Sequence, residues 1–333
     1  MPAVKFVLHG AAHEAVQIVK RAQLTDEYGY DGLFFGESQW NTLDPFQSLV
    51  LCATKTKTIT LGTGVTSMLF RSPLQLANAA VTLNHISNGR AILGVGTGDE
   101  PELGMKSTRM DKFEYELKRI RQLLHGGSLH FRSLDGKDIE ESLVVGTVPV
   151  PLYISAEGPR TMQLAGRVAD GVILGTGFDL RVFRWAKDKI SQGAREADRS
   201  ADDIEILVSG MVVVGKDGDR ARNLVRRRIA NRAYHNFRST LETVPKEEIA
   251  GVQKFIRAFD ITKPIEEKVD PNFVNDYLTQ RFAVAGTAEE CKMRIEELVK
   301  AGARGFMLTP PFSIFEEIMK EWARSVMVNF AKS

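Results

Sequence analysis

A carboxylate, a hydroxyl and an amide stand side by side in Glu37-Ser38-Gln39, separated by Gly36 alone from the apolar run 32–35. Such groups at the mouth of an apolar segment are costly unless they find partners. They suit a polar floor that hydrogen-bonds a heterocycle; the plainer reading is a Glu37 satisfied by a neighbouring strand. Three glycine clusters accompany them: Leu61-Gly62-Thr63-Gly64-Val65-Thr66-Ser67, Gly94-Val95-Gly96-Thr97-Gly98, and Ser155-Ala156-Glu157-Gly158-Pro159-Arg160. Glycine inside a β-rich segment weakens it, so something must approach the backbone closely there or bend it. Each cluster alone is a weak signal. Together they argue for a long, flat ligand bearing phosphate, with Gly158-Pro159 opening a helix whose N-terminus can hold an anion.

Metal chemistry is disfavoured. His9 and His13 lie too far apart for the paired ligands of a metal-dependent hydrolase, and no later strand end brings another histidine. His85, His125, His130 and His235 fall on helices or on an excursion, and the plain reading of His9 and His13 is a pocket-lining or surface imidazole.

The elements that must position these groups alternate along the chain. Short apolar runs recur at 4–8, 32–35, 58–65, 91–96, 152–155, 171–174, 204–214 and 305–308. Between them lie stretches of helical period, among them 13–27, with Ala15, Val16, Val19, Ala22 and Gln23 on one stripe, and 72–86, with Ser72 as N-cap and Pro73 at the first helical position. Asp44-Pro45 opens another in the same way. The same small-residue loop, ending in glycine, launches several strands, as in Ala169-Asp170-Gly171. One repeated βα unit therefore predicts an α/β chain folded as a single (β/α)8 TIM barrel across residues 1–333. A doubly wound sheet is the rival, but neither Gly62-Thr63-Gly64 nor Gly94-Val95-Gly96-Thr97-Gly98 completes the dinucleotide fingerprint, and the latter runs into Asp99-Glu100-Pro101. Residues 226–277, polar and punctuated by proline, read as a helical insertion between strands seven and eight. Residues 129–145 read as a small hairpin after helix four.

Composition narrows the class further. With 43% hydrophobic and 26% charged residues the 333-residue chain can bury a large core. Forty-four Lys and Arg against 42 Asp and Glu leave a net charge of +2, so no global field recruits nucleic acid or membrane. Cys52 and Cys291 sit in apolar, helix-like segments and make no disulfide framework, which fits the reducing cytoplasm. Residues 1–10 lack the run and cleavage site of a signal peptide, and no window is apolar for long enough to span a bilayer.

The glycine clusters carry a resemblance once joined to their flanks. Leu61-Gly62-Thr63-Gly64-Val65-Thr66, then Arg71-Ser72-Pro73, then Ile86-Ser87-Asn88-Gly89-Arg90-Ala91-Ile92-Leu93-Gly94-Val95-Gly96-Thr97-Gly98-Asp99 resembles the luciferase-like flavin and deazaflavin superfamily. Pro151-Leu152-Tyr153-Ile154-Ser155-Ala156-Glu157-Gly158-Pro159, followed by Leu164-Ala165-Gly166-Arg167-Val168-Ala169-Asp170-Gly171, is similar to its methylenetetrahydromethanopterin reductase branch. The resemblance runs over nearly the whole chain, in order. It implies hydride transfer with coenzyme F420, an 8-hydroxy-5-deazaflavin with a phosphate and an oligoglutamate tail. It places Glu37 at the ring edge, with Ser38 beside it as the second catalytic candidate. It implies a non-prolyl cis peptide at Gly64-Val65, a bulge against one face of the ring, with Ser67 beyond it. Gly96-Thr97-Gly98 and Glu157-Gly158-Pro159 match the segments that hold the phosphate and linker.

One departure matters. Sugar-phosphate dehydrogenases of the family follow the strand-two carboxylate with a catalytic histidine, where this chain has Ser38; that favours reduction or a different donor. The resemblance leaves three readings: an F420-dependent oxidoreductase acting on a small molecule, an FMN-dependent monooxygenase using oxygen, and a non-catalytic flavin-binding barrel. Arg226-Arg227-Arg228, with Arg222 and Arg232, is the one dense basic run, read as a solvated face or as a landing site for the cofactor's anionic tail. The family also implies a homodimer formed through helices 44–54 and 72–86.

Overall fold

A computed structural model describes residues 4–11, 13–98, 105–144, 148–238, 241–264 and 267–330. Asp99, Glu100, Pro101 and Val145, named above, lie outside the described residues.

Eight parallel strands close into a barrel. They are β1 (Lys5–Gly10), β2 (Gly32–Phe35), β3 (Thr60–Thr63), β5 (Ala91–Gly96), β8 (Leu152–Ala156), β9 (Gly171–Leu174), β10 (Glu205–Val214) and β12 (Gly305–Thr309). Closure follows from β10, which pairs with β9 through residues 205–208 and with β12 through residues 207–211, while β12 pairs with β1. The run 58–65 does not continue as one strand. It breaks after β3 at a cis peptide between Gly64 and Val65, and resumes as the short β4 (Thr66–Ser67) against β5.

Val7, Phe34, Tyr153, Ile173, Leu207 and Met307 fill the barrel's interior. That packing explains two glycines attributed above to a ligand. A Cβ on Gly62 would lie 3.0 Å from the Phe34 ring and from the Ile92 carbonyl, and one on Gly94 would collide with the Thr63 carbonyl. Protein, not ligand, requires glycine at both.

The helices form the outer layer: α1 (Ala15–Glu27), α2 (Pro45–Ala53), α3 (Pro73–Ser87), α4 (Met110–Leu124), α5 (Pro159–Val168), α6 (Leu180–Glu196), α7 (Gly218–Phe237), α10 (Ala288–Lys300) and α11 (Phe315–Ser325). Their starts follow the expected chemistry. The Asp44 carboxylate accepts from the Gln47 N–H at 3.0 Å, and Ser72 and Gln75 form a reciprocal capping box at the start of α3. The stripe expected on α1 is rotated: Ile18, Arg21, Ala22 and Thr25 are buried, and Val16 is 82% exposed. A short, mixed helix leaves its phase open to the neighbours that cover it.

The hairpin after α4 pairs β6 (Ser128–Arg132) with β7 (Asp138–Ser142). Between β10 and β12 lie α7, α8 (Ile249–Ala258), α9 (Asp276–Phe282), the extra strand β11 (Ala283–Gly286) and α10. A start at residue 226 falls inside α7, because the buried row Ala221, Val225, Ile229, Ala233 and Phe237 runs straight through the arginines. Charge marks the outer face of that helix and not its beginning.

Candidate active site

The C-terminal ends of the strands open on one side into a cavity of about 1000 Å³. Glu37, Gly64, Val65, Ser67, Gly96, Thr97, Gly98, Glu157, Gly158 and Pro159 all line it. These residues come from the ends of β2, β3, β4, β5 and β8, so their meeting is a consequence of strand order around the barrel.

The floor is apolar, built from Val65, Ile173 and Met307. Val65 is held by the backbone around it. The Glu37 N–H donates to the Val65 carbonyl at 3.1 Å, and the Gly64 N–H donates to the Phe35 carbonyl at 2.8 Å. Gly96 leaves room for the Val65 side chain, since a Cβ there would come within 3.0 Å of Cγ2. Gly98 has φ of +64°, a left-handed backbone that favours glycine.

Glu37 sits on the wall with its side chain 5% exposed. Its Oε1 accepts from Arg71 Nε at 2.8 Å and from Gln39 Nε2 at 2.9 Å, and its Oε2 accepts from the Thr66 hydroxyl. Arg71 also binds Asp44, and those hydrogen bonds raise the guanidinium's pKa against the opposing effect of its burial. Glu37 therefore borders the cavity with its carboxylate already satisfied by its neighbours. Ser38 does not line the cavity. Thr42 closes a tight turn on it, its hydroxyl accepting from the Ser38 N–H at 3.1 Å and its own N–H donating back to the Ser38 carbonyl at 3.1 Å. The Ser38 hydroxyl, turned to this loop, accepts from Asn41 at 3.3 Å.

At the opposite wall the Glu157 carboxylate accepts from Arg232, from His235 at 2.8 Å and from Asn236 at 3.0 Å. Burial pushes its pKa up, but Arg232 and then His235 outweigh that and hold it below the usual carboxylate range. Beside it α5 begins at Gly158 without any side-chain cap, so its first N–H groups face the cavity. Lys106, Arg109, Arg160 and Arg238 stand at the same mouth, with Arg109 paired to Asp111 at 2.7 Å. An apolar floor with an uncapped helix end and several cations fits a flat ring carrying an anionic tail.

Sequence reasoning missed most of this cationic wall. Arg71 stood inside a quoted motif and Arg232 inside the basic run, but helical phase alone separates that run. Arg232 reaches Glu157; Arg222 binds Asp219 and Glu290; Arg226 binds Asp276 and the Val274 carbonyl. Lys106 and Arg109 carried no local signal. Among the described residues no group of three or more His, Cys, Asp or Glu could hold a metal ion, and no helix is long and apolar enough to cross a membrane.

Fold and site together define a luciferase-like barrel. The chain belongs to the luciferase-like monooxygenase family, whose model matches residues 3–305. It is 31% identical over 309 residues to the 5,10-methylenetetrahydromethanopterin reductase of Archaeoglobus fulgidus, covering 90% of each chain. It is 25% identical to the F420-dependent glucose-6-phosphate dehydrogenase of Amycolatopsis mediterranei, over 83% of this chain and 80% of that one. Among solved structures, the coenzyme F420 dependent tetrahydromethanopterin reductase of Methanopyrus kandleri shares the fold, with a TM-score of 0.78, 24% identity, and coverage of 99% and 100%.

Proposed function

We propose that this chain is an oxidoreductase that moves a hydride between coenzyme F420 and a small organic substrate. The relatives named above support the cofactor, and one observation carries the reading in this chain. A single cavity joins the apolar floor of Val65, Ile173 and Met307 to the uncapped start of α5 at Gly158.

The deazaflavin, when bound, supplies a ring carbon that gives or takes a hydride. The chain's own residues do the rest. Val65 would support one face of the ring, and Gly96, Thr97, Gly98, Ser67, Gly158 and Pro159 would hold the linker and phosphate. Glu37 would present a fixed carboxylate at the ring edge, preorganised by Arg71, Gln39 and Thr66 so that no reorganisation is needed during reaction. Ser38, second in the sequence-based catalytic pair, would act through the shape of its turn. No histidine follows Glu37 to serve as base for alcohol oxidation, which favours reduction of the substrate.

We assign residues 1–333 to one barrel unit, with the segment around 226–277 shaping substrate access, and place the enzyme as a homodimer in the cytoplasm. The free thiols of Cys52 and Cys291, both buried and with pKa pushed up to about 12 by burial, suit a reducing compartment.

The experiment is a pair of anaerobic fluorescence titrations, with F420 and with FMN, followed by absorbance assays of reduced F420 against imines, enones and ketones. Saturable F420 binding and oxygen-independent oxidation are expected. Tight FMN binding with oxygen-dependent turnover, and no F420 binding, would turn the assignment to a monooxygenase; FMN binding without turnover would leave a flavin carrier.

A further inference from the structure

Three polar side chains of one helix meet a single carboxylate at the cavity wall, and the proposed reaction gives that carboxylate no task. Arg232, His235 and Asn236 stand at positions i, i+3 and i+4 of α7, so they share one face of the helix. Glu157 Oε1 accepts from Arg232 Nη1, and Oε2 accepts from His235 Nδ1 and from Asn236 Nδ2. Asn236 also donates to the Gly175 carbonyl at 3.2 Å, which ties the same turn of helix to the end of β9.

The backbone makes room for the ion pair. A Cβ on Gly175 would lie 2.5 Å from Glu157 Oε1 and 2.9 Å from Arg232 Nη1, so any larger residue there would displace it. The loop after β9 is therefore shaped around Glu157 and Arg232.

Glu157 is poorly suited to meet an anion itself. Its side chain is 16% exposed, both oxygens are engaged, and the carboxyl is held in its charged form. A bare carboxylate one residue before α5 would repel a phosphate drawn to that helix end. Arg232 reverses the sign of the wall. Its side chain is 42% exposed and lines the cavity. Glu157 engages Nη1, and the planar guanidinium carries its further N–H groups in a fixed fork that matches phosphate oxygens. Its charge is felt as far as His9 at the end of β1, whose pKa burial first and Arg232 second lower to about 4.

We infer that Glu157 is a positioning residue and that Arg232 is the phosphate-binding residue it positions: the carboxylate holds the guanidinium beside the first turn of α5, where the ligand's phosphate meets both. This rests on the reading of the cavity as the cofactor's. It gives Glu157 an indirect part in cofactor binding, and it assigns Arg232 to the phosphate and not to the glutamate tail.

Glu157→Gln sets two effects of opposite sign against each other. A carboxylate that acts only as a nearby charge repels the phosphate, and its removal tightens the ligand. A carboxylate that positions Arg232 frees the guanidinium when its charge is removed, and the ligand weakens.

Fluorescence titrations of the full chain test this with F420, with F420 trimmed of its glutamates, and with the deazaflavin lacking both phosphate and tail. Arg232→Ala should weaken both phosphate-bearing forms about tenfold and leave the phosphate-free form within about twofold. Glu157→Gln should weaken the same two forms about fivefold, and should add little once Arg232 is alanine, because the two residues act as one unit. The half-exposed Arg232 keeps the test decisive should Glu157→Gln fold poorly. The inference is overturned if Glu157→Gln binds F420 as tightly as the native chain or tighter, or if Arg232→Ala leaves F420 binding unchanged or weakens all three forms alike. It is also overturned if Arg232→Ala weakens full-length F420 and spares the trimmed form, which gives Arg232 to the tail. Calorimetry with inorganic phosphate separates this inference from the cofactor reading. A native chain that binds phosphate through Arg232 but no form of the deazaflavin ends the cofactor reading and keeps the phosphate site, and a chain that binds neither ends both.

Discussion

The Glu157 carboxylate and the His235 imidazole meet at 2.8 Å across the cavity mouth, joining the end of β8 to helix α7 seventy-eight residues later. Arg232 and Asn236 reach the same carboxylate, so the helix that carries the basic run is anchored to the glycine loop at Gly158. Gly158 and these α7 residues line the same cavity.

Acid should loosen this anchor. Glu157 is held below its ordinary pKa in the fold, so it contributes stability above the unfolded value of about 4.3, and that contribution fades as pH falls through the lower folded value. Urea midpoints of the native chain should therefore drop below about pH 4.3, and Glu157→Gln should show a flatter acid limb. Parallel acid limbs would mean that the carboxylate is not stabilised in its charged form.

His9 titrates with the opposite logic. Burial, then the charge of Arg232, push its pKa down to about 4 against the effect of a hydrogen bond at Gly64. Between that value and the unfolded value of about 6.5 the unfolded chain binds the extra proton, so stability should fall as pH drops through this window and be unaffected above it. Ring NMR should show His9 neutral at pH 6, and His9→Gln should remove its share of the slope. A midpoint near 6.5 would contradict the geometry.

Gly158→Asp separates folding from binding. A Cβ at Gly158 meets nothing nearer than Thr161 Oγ1 at 4.0 Å, and the extended backbone there suits an aspartate N-cap. Melting temperature should hold or rise, while F420 affinity falls about 100-fold as a carboxylate occupies the N–H groups meant for phosphate. Unchanged affinity in the fluorescence titration would remove the phosphate assignment.

Glu37→Gln should cost on the order of 1–3 kcal/mol of stability, because Arg71 loses one charged partner but keeps Asp44. Turnover should fall about 100-fold while F420 affinity changes less than tenfold, since the charge acts mainly on the developing transition state. Equal losses in both would make Glu37 a binding group only.

Light scattering addresses assembly. Leu74 and Ile86 on α3 are 51% and 41% exposed, and Trp40 and Leu43 before α2 are 74% and 45% exposed. A dimer through these elements should fall to monomer in Leu74→Glu at micromolar concentration. A native chain that is already monomeric there would end that proposal.

The barrel was legible in the sequence because its signals are local. Apolar runs of strand length, caps such as Ser72 with Gln75, and proline at first helical positions each act within a few residues. The glycine clusters and Glu37 were legible for a related reason: small residues and a carboxylate at strand ends mark the rim of any such barrel. Contact across the ring was not legible. Whether Gly62 makes room for a ligand or for Phe34, whether Ser38 faces the cavity or its own turn, and which arginine of one run meets Glu157 depend on strand register and helical phase. These are set when the sheet closes, and a shift of one residue turns a side chain to the other face. The sequence by itself determined the repeated βα unit and the chemistry placed at its strand ends. Only the tertiary structure decided that these ends converge on one cavity and that Arg232 and His235 of α7 meet Glu157 there, because closure of the barrel sets the strand ends around a single mouth.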